Sequence, residues 1–387
     1  MLVEIHIIQS FAPSNLNRDD TGAPKDCFFG GVRRARISSQ CIKRAIREYF
    51  KSRLLISQEN LATRTKHIVD EITKRLKEKG KDEQKAREVV KKMLAKGYNI
   101  AVQEDKDDTQ YLLFIGEKEI CRLVELCLEH WDALLSIQES EKEEKKKGKK
   151  KGNLPDEVEK ALKDILDGGK ACDLALFGRM LADKPENNIV AACQVAHAIS
   201  THRVSMEFDF YTAVDDLNPK EETGAGMMGT VEFNSACYYR YANIDLCQLK
   251  KNLDGDEELA KKTVEAFIKA SAFAVPTGKQ NSFAANNPPD FILATIRKNA
   301  LPLNLANAFE KPVTPDKDGG LVTKSVNSLL DYWTRLKNAY NIQDDGNIFS
   351  CSTLETMREQ PKCPNPSTIE DMVKSVVGKL AFDDCKS

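Results

Sequence analysis

Three features of this 387-residue chain predict an α+β fold. It opens on an apolar run with strand character at residues 2–9. Its middle, from 58 to about 198, is patterned at helical spacing. At His202 the period switches to two, and a long hairpin follows. The length suffices for two or three domains or one elaborated fold. At 41% apolar and 30% charged residues the composition is that of an ordinary soluble chain. No stretch approaches the ~20 apolar residues of a membrane helix, so no membrane partner is expected. The segment Met1 to Ile8 is too short and too acidic for a signal peptide, which makes a cytoplasmic location the default.

After the first strand, Ser10 to Gly31 reads as a long irregular segment, and such loops are usually functional or disordered. Its Asn15, Asn17, Arg18 and Lys25 suit phosphate and sugar contacts. From Lys25 to Arg53 the chain then carries nine Lys or Arg residues against two acids, Asp26 and Glu48. That is +7 in a chain whose total is −1, leaving −8 for the rest, so the positive charge is concentrated here. A helix is expected over 38–53, capped by Ser38 or Ser39, with Ile42, Ala45, Ile46, Tyr49 and Phe50 on the buried side. Lys43, Arg47 and Lys51 then form a row along another side, suited to a phosphodiester backbone. Gly30 and Gly31 are expected to let the preceding loop approach that backbone closely. A lone basic helix is more often a solvated face, but three arginines and a Gly-Gly immediately upstream favour phosphate binding.

In the middle region Leu61, Ile68, Ile72 and Leu76 lead to a stop near Gly80, and Val89, Val90, Met93 and Leu94 form a second stripe. Ile120, Leu123, Val124, Cys127, Trp131 and Leu135 form a third. The Lys-rich tract at 142–151 has nothing apolar to bury and reads as a surface loop. Pro155 opens a further helix that closes at Gly168-Gly169, and the run Asn188 to Ser200 looks buried.

Beyond His202, Val204, Met206, Phe208 and Phe210 share one strand face, and Val231 and Phe233 mark the return strand. Met227 and Met228 lie near the Gly- and Pro-rich tip, where bare apolar residues mark contact with something. Tyr238, Tyr239 and Tyr241 extend the strand. A helix over 256–273, a polar loop at 276–289, a strand over 290–297 and an amphipathic helix over 325–340 follow. Ser367-Thr-Ile-Glu370 reads as a capping box for a last helix.

Several chemistries are excluded. Eleven cysteines, with no C-x-x-C pair, argue against zinc and against a disulfide framework. The five histidines are dispersed, so no metal or other cofactor is expected. Gly278-Lys279 lacks the earlier glycine and the Ser/Thr of a phosphate-binding loop. No Ser-His-Asp, Cys-His or Rossmann pattern supports a metabolic enzyme.

Several blocks together resemble a known family. They are Ser14-Asn-Leu-Asn-Arg-Asp-Asp20, Phe29-Gly-Gly31, Arg36-Ile-Ser-Ser-Gln40 with Lys43-Arg-Ala45, and Asp173-Leu-Ala-Leu-Phe-Gly-Arg-Met180. Further along come Tyr211-Thr-Ala-Val-Asp-Asp-Leu217, Gly229-Thr-Val-Glu-Phe233, Tyr239-Arg-Tyr-Ala-Asn-Ile244 and Gly278-Lys-Gln-Asn281. In this order they resemble the repeated backbone subunit of the type I-E CRISPR surveillance complex, Cascade. The resemblance implies a modified RRM, or ferredoxin-like, palm at 1–57 and 232–387, helical fingers at 58–200 and a β-hairpin thumb at 201–231. It also implies copies polymerising head to tail on CRISPR RNA, beside other Cascade subunits, with each thumb displacing a guide nucleotide and the guide pairing with target DNA. The resemblance carries over Lys43 and Arg47 as positions that hold the RNA backbone, and the full RNA-binding set expected is Arg18, Lys25, Arg33, Arg34, Arg36, Ser39, Gln40, Lys43, Arg44, Arg47, Lys279, Gln280 and Asn281. The intercalating set is Met180, Phe210, Tyr211 and Met228. The Lys-rich tract and the tip at 218–226 depart from the family pattern.

The expected function is therefore a non-catalytic RNA-binding scaffold, with basic side chains for phosphates and apolar tips for bases. The alternative is a metal-dependent ribonuclease using Asp19, Asp20 and Asp26 beside the basic stretch.

Overall fold

The structure is a computed structural model. It describes every residue except 104, 137–153, 155, 182–183, 214–215, 217–226, 299, 318, 343–346, 356–367, 384 and 386–387. The Lys-rich tract, the hairpin tip at 218–226, Pro155 and Ser367 therefore lie outside the described residues. In chain order the elements are β1 (Leu2–Ser14), β2 (Asp26–Phe29), β3 (Val32–Ile37), α1 (Ser39–Ser52), β4 (Ala62–Thr65), α2 (Ile68–Glu78), α3 (Glu83–Gly97), β5 (Leu113–Gly116) and α4 (Glu117–Glu129). There follow α5 (Asp156–Ile165), α6 (Cys172–Phe177), β6 (Cys193–Val195), β7 (Ala198–Ser200), β8 (Glu207–Ala213), β9 (Met227–Asp245), α7 (Leu246–Asn252) and α8 (Glu257–Phe273). The chain closes with α9 (Gln280–Phe283), β10 (Phe291–Arg297), α10 (Leu321–Tyr340), β11 (Ile348–Ser352) and α11 (Ile369–Gly378). Among the described residues no helix is long and apolar enough to cross a membrane.

Contacts divide the chain into one unit of residues 1–53, 193–246 and 264–387 and another of 54–192 and 247–263. The first is built on an antiparallel sheet of order β11-β10-β1-β9-β7-β3-β2, with β6 and β8 also paired to β9. The order β10-β1-β9-β7, with α1 and α8 between strands in sequence, is a β-α-β-β-α-β arrangement. The α+β class expected from the sequence is thus the fold observed.

β1 explains why its sequence is a nearly continuous apolar run: it is buried on both faces. Ile5 and Ile7 meet Ile42 and Ile46 of α1 around a small cavity. On the alternate face His6, fully buried, bonds the Tyr239 hydroxyl through Nδ1 at 3.0 Å. Burial, and secondarily the Arg297 charge, push the His6 pKa down to about 3. Glu4 beside it pairs with Arg297, accepts from the Tyr241 hydroxyl at 2.6 Å and accepts from the Leu303 amide at 2.7 Å. Ile8, Tyr239, Phe291, Leu293, Phe309, Leu329 and Trp333 complete this core.

Three local expectations are corrected. β1 does not stop at residue 9; it pairs with β9 as far as Ser14↔Asn234, across a register shift that accommodates Pro13. Its partner lies more than two hundred residues away, so no local pattern announces it. Residues 193–200, expected to end the helical region, form β6 and β7 against β9. Cys247 and Cys385 are each in a disulfide although no spacing marks them, while eight other cysteines among the described residues are free thiols.

The second unit is mainly helical, with a core that includes Ile72, Leu76, Val90, Met93, Leu123, Cys127 and Leu162. It also holds a two-stranded β4-β5 ladder that helical spacing concealed.

Candidate nucleic-acid interface

α1 forms where the apolar period and the cap predict it. The Ser38 hydroxyl accepts from the Cys41 amide at 3.3 Å, and the Ser38 amide donates to Asn17 Oδ1 at 2.8 Å. Ile42, Ile46 and Phe50 are buried. Arg44 is exposed, and Lys43, Arg47 and Lys51 are half-buried, so the basic residues lie on the outer sides of the helix. Of the cap-side pair, Gln40 is exposed and the half-buried Ser39 reaches its side chain at 3.4 Å.

A second basic group gathers at the start of the β2-β3 hairpin. The Arg36 amide donates to the Lys25 carbonyl, and Arg36 Nε donates to the Asp26 carbonyl at 3.0 Å. Arg36 Nη1 lies 3.1 Å from His197 Nδ1. Burial lowers the His197 pKa, and the Arg36 and Lys25 charges lower it further. A neutral imidazole can then accept the Arg36 proton and hold that side chain in place. No local signal in the sequence pairs His197 with an arginine far upstream. Arg33 is exposed and forms an ion pair with Asp26 at 2.8 Å.

Arg34 is corrected. It is 0% exposed, and its guanidinium donates to the carbonyls of Phe29, Ser200, Phe309 and Glu310. It holds the hairpin to the sheet instead of facing solvent, and it leaves the set of phosphate-binding candidates. Gly30 changes meaning for the same reason. Its φ is +58°, and a Cβ there would stand 1.7 Å from the Glu310 carbonyl oxygen, so close packing within the protein already accounts for it. Gly31 faces open space.

The loop at 15–23 is internally braced. Asn15 is buried and donates to the carbonyls of Gly22 and Glu232, both at 2.9 Å, which removes it from the surface contacts expected of it. Arg18 is exposed. Asp19 accepts from the Thr21 hydroxyl and from the amides of Thr21 and Ala23, and these bonds, the hydroxyl first, hold its carboxyl below the usual range. With Asp26 paired to Arg33, two of the three acids of the ribonuclease alternative are committed to their own loops. Among the described residues no group of three or more His, Cys, Asp or Glu side chains is arranged to hold a metal.

A groove of about 970 Å³ runs between this loop, α1 and residues 274–278, and Arg18, Arg44 and Tyr49 are among its lining. Gly278 makes the closure possible, because a Cβ there would lie 2.4 Å from the Leu16 carbonyl oxygen. Next to it Lys279 adopts a left-handed φ of 53°. The Gln280 amide donates to the Pro276 and Ala285 carbonyls, so that side chain braces its own turn, while Asn281 is exposed.

The hairpin provides the apolar component. β8 pairs with β9 from Glu207↔Phe233 to Ala213↔Met227, and every residue of β8 is exposed. Phe208 and Phe210 share a face as the alternation predicts, but that face is bare, as are Met227 and Met228. The Tyr211 ring lies over Gly229, where a Cβ would come within 2.5 Å of its hydroxyl. In the second unit Met180 is 82% exposed between two anchored neighbours. Arg179 is buried in an ion pair with Glu119 at 2.8 Å, and the Leu181 amide donates to Asn188 Oδ1.

Residues 3–375 match the family described as CT1975-like protein. Among solved structures, a chain described as "CRISPR RNA-guided surveillance complex, pre-nicking" is 32% identical with a TM-score of 0.82, over 97% of this chain and 100% of that one. Another, described as "CRISPR RNA-guided surveillance complex", is 27% identical with a TM-score of 0.73, over 98% of this chain and 100% of that one. No curated protein matches.

Proposed function

The chain belongs to the CT1975-like protein family, and on that footing we propose that it is a CRISPR RNA-binding backbone subunit of a Cascade-type surveillance complex, of type I-E. Copies polymerise head to tail along the guide with the other subunits of the complex, the guide's phosphates following the Lys43/Arg47 face of α1 and the Lys25/Arg36 group. Arg18, Arg33, Ser39, Gln40, Arg44, Lys279 and Asn281 border that path, and Gln280 supports it indirectly. The β8-β9 hairpin acts as a thumb: Phe210, Tyr211 and Met228, with Met180 on the finger side, wedge beside a displaced nucleotide. The bases between kinks remain available for target DNA.

One observation carries this reading most. The hairpin leaves Phe208, Phe210, Met227 and Met228 bare on the same unit that carries the basic helix. Basic grooves with apolar platforms are what single-strand binders use, and stacking is worth about 1–3 kcal/mol per base, enough to offset local unstacking. The guide itself supplies sequence specificity by base pairing, and the subunit reads backbone and shape.

Asp19 and Asp26 serve their own loops, which favours a non-catalytic subunit over a ribonuclease. The deciding experiment is purification from the native host followed by nucleic-acid extraction. A discrete small RNA with repeat-derived ends is the expected result, and a chain that purifies without RNA, or with random fragments, sinks the proposal. Incubating the RNA-loaded complex with target RNA and Mg²⁺ tests the catalytic alternative, for which regularly spaced cuts are the signature.

A further inference from the structure

We propose that Phe28 and Arg33 form a stacking platform for one nucleobase of single-stranded RNA. This rests on the RNA-binding reading above and deepens it by naming a base contact outside both the basic helix and the thumb. Among the described residues β2 ends the sheet order and pairs only with β3, in the register Cys27↔Arg34, Phe28↔Arg33 and Phe29↔Val32. Alternation along a strand sends neighbouring side chains to opposite faces. Phe29 turns inward, where the buried Arg34 guanidinium lies 5.7 Å from its ring centroid. Phe28 turns outward and is 74% exposed. Arg33 stands directly across the ladder on the same face. Its Nε is held at 2.8 Å by Asp26, two residues before Phe28 and also on that face. A phenyl ring and a guanidinium, both planar, thus project from opposed positions on one face of the ladder.

The support beneath is rigid. Gly30 closes against the Glu310 carbonyl, and Arg34 ties the hairpin to the carbonyls of Ser200, Phe309 and Glu310. The strand that carries the ring is thus already ordered, so only the side chain has freedom left to lose when it is covered. The charge around it selects the occupant. From Lys25 to Ile37 there are four cations (Lys25, Arg33, Arg34 and Arg36) and one acid, Asp26. Arg34 is bonded to carbonyls rather than to a carboxylate, so its charge is not cancelled by a bonded partner. A planar apolar surface in positive surroundings fits a base flanked by phosphates, since rings and guanidinium planes stack on any base. An apolar peptide would gain nothing from the charge.

The test uses the full-length chain with Phe28→Ala, Phe28→Leu and Phe28→Trp. Because the ring is 74% exposed, all three are expected to melt with the wild type. The probes are a short fluorescein-labelled oligoadenylate and an abasic strand of the same length. Ala and Leu are expected to bind oligoadenylate roughly five- to a hundred-fold more weakly, and Trp as tightly as Phe or more so. The slope of log K against log salt stays unchanged, because no phosphate contact is lost. All variants bind the abasic strand alike. Equal oligoadenylate binding by wild type and Ala overturns the platform. So does wild-type affinity in Leu, which marks apolar packing on a protein, or an effect confined to self-association of the chain. If the wild type itself ignores oligoadenylate, the RNA-binding reading fails first, and the result is distinguishable from failure of the platform alone.

Discussion

One strand, β9, has two different halves. From Ala236 to Ile244 it is buried in the sheet, paired with β1 and with β6 or β7. From Met227 to Phe233 its only partner among the described residues is β8, and it is exposed or half-buried. The backbone ladder is continuous and the residue types are similar, aromatic and β-branched in both. The difference is what covers the side chains. In the buried half Tyr239 and Tyr241 have defined partners, whereas Met227 and Met228 of the exposed half, and Phe210 across the ladder on β8, have open faces. Hydrogen bonding alone is enough to specify a strand; burial distinguishes side chains kept for stability from side chains kept for contact.

Four measurements can break or sharpen that contrast. The largest effect belongs to the buried half: Tyr239→Ala removes a ring packed near Phe309 and the acceptor of the Leu305 amide, and is expected to cost about 3–5 kcal/mol in denaturant unfolding. A cost within ~0.5 kcal/mol would erase the distinction. Next comes acid. His6, opposite Tyr241 in the sheet, is held neutral with a pKa of about 3 against an unfolded value near 6.5. Its folded pKa is depressed, so its contribution is fully present above pH ~6.5. It is lost by up to about 1.4 kcal/mol per pH unit as the pH falls toward 3. His6→Gln is expected to flatten that acid limb of the stability curve, and an unaltered limb would assign acid unfolding elsewhere.

The third measurement concerns the basic helix. Lys43→Glu with Arg47→Glu is expected to weaken RNA binding at least roughly ten-fold whatever the guide sequence, and to flatten the salt dependence by about 1.4 in log–log slope, near 0.7 per phosphate contact on a single strand. An unchanged slope counts against this face as the phosphate path. The smallest effect on stability is predicted for the exposed half. Phe210→Ala and Met228→Ala are each expected to leave unfolding within ~0.5 kcal/mol of wild type. The same changes should suppress the fluorescence rise of 2-aminopurine at displaced guide positions. A large loss of stability would mean that these side chains are covered after all.

How far the sequence could be read depended on whether a residue's partners were local. α1 was legible because its cap, its apolar period and its basic row all lie within sixteen residues, 38–53. The hairpin was legible from alternation. Arg33 and Arg34 show the limit: adjacent in sequence and alike in type, one faces solvent and the other is buried among carbonyls from residues 29, 200, 309 and 310. Only the register against β2 and the distant 309–310 backbone separates them. The same holds for β1 beyond residue 9, for β6 and β7, and for His197 beside Arg36, each defined by a partner far along the chain. Local spacing also misled at Gly30, where a glycine beside arginines suggested a ligand and the backbone of residue 310 fills the space.

The outer edge of β8 has a consequence for how the chain is supplied. Among the described residues β8 pairs with β9 alone, so one side of a strand rich in bare aromatics keeps unpaired backbone donors and acceptors. Such an edge recruits other strands indiscriminately. Chain synthesised in excess of whatever covers the hairpin would then tend to precipitate, and its yield in a recombinant host should track co-expressed partners more closely than promoter strength.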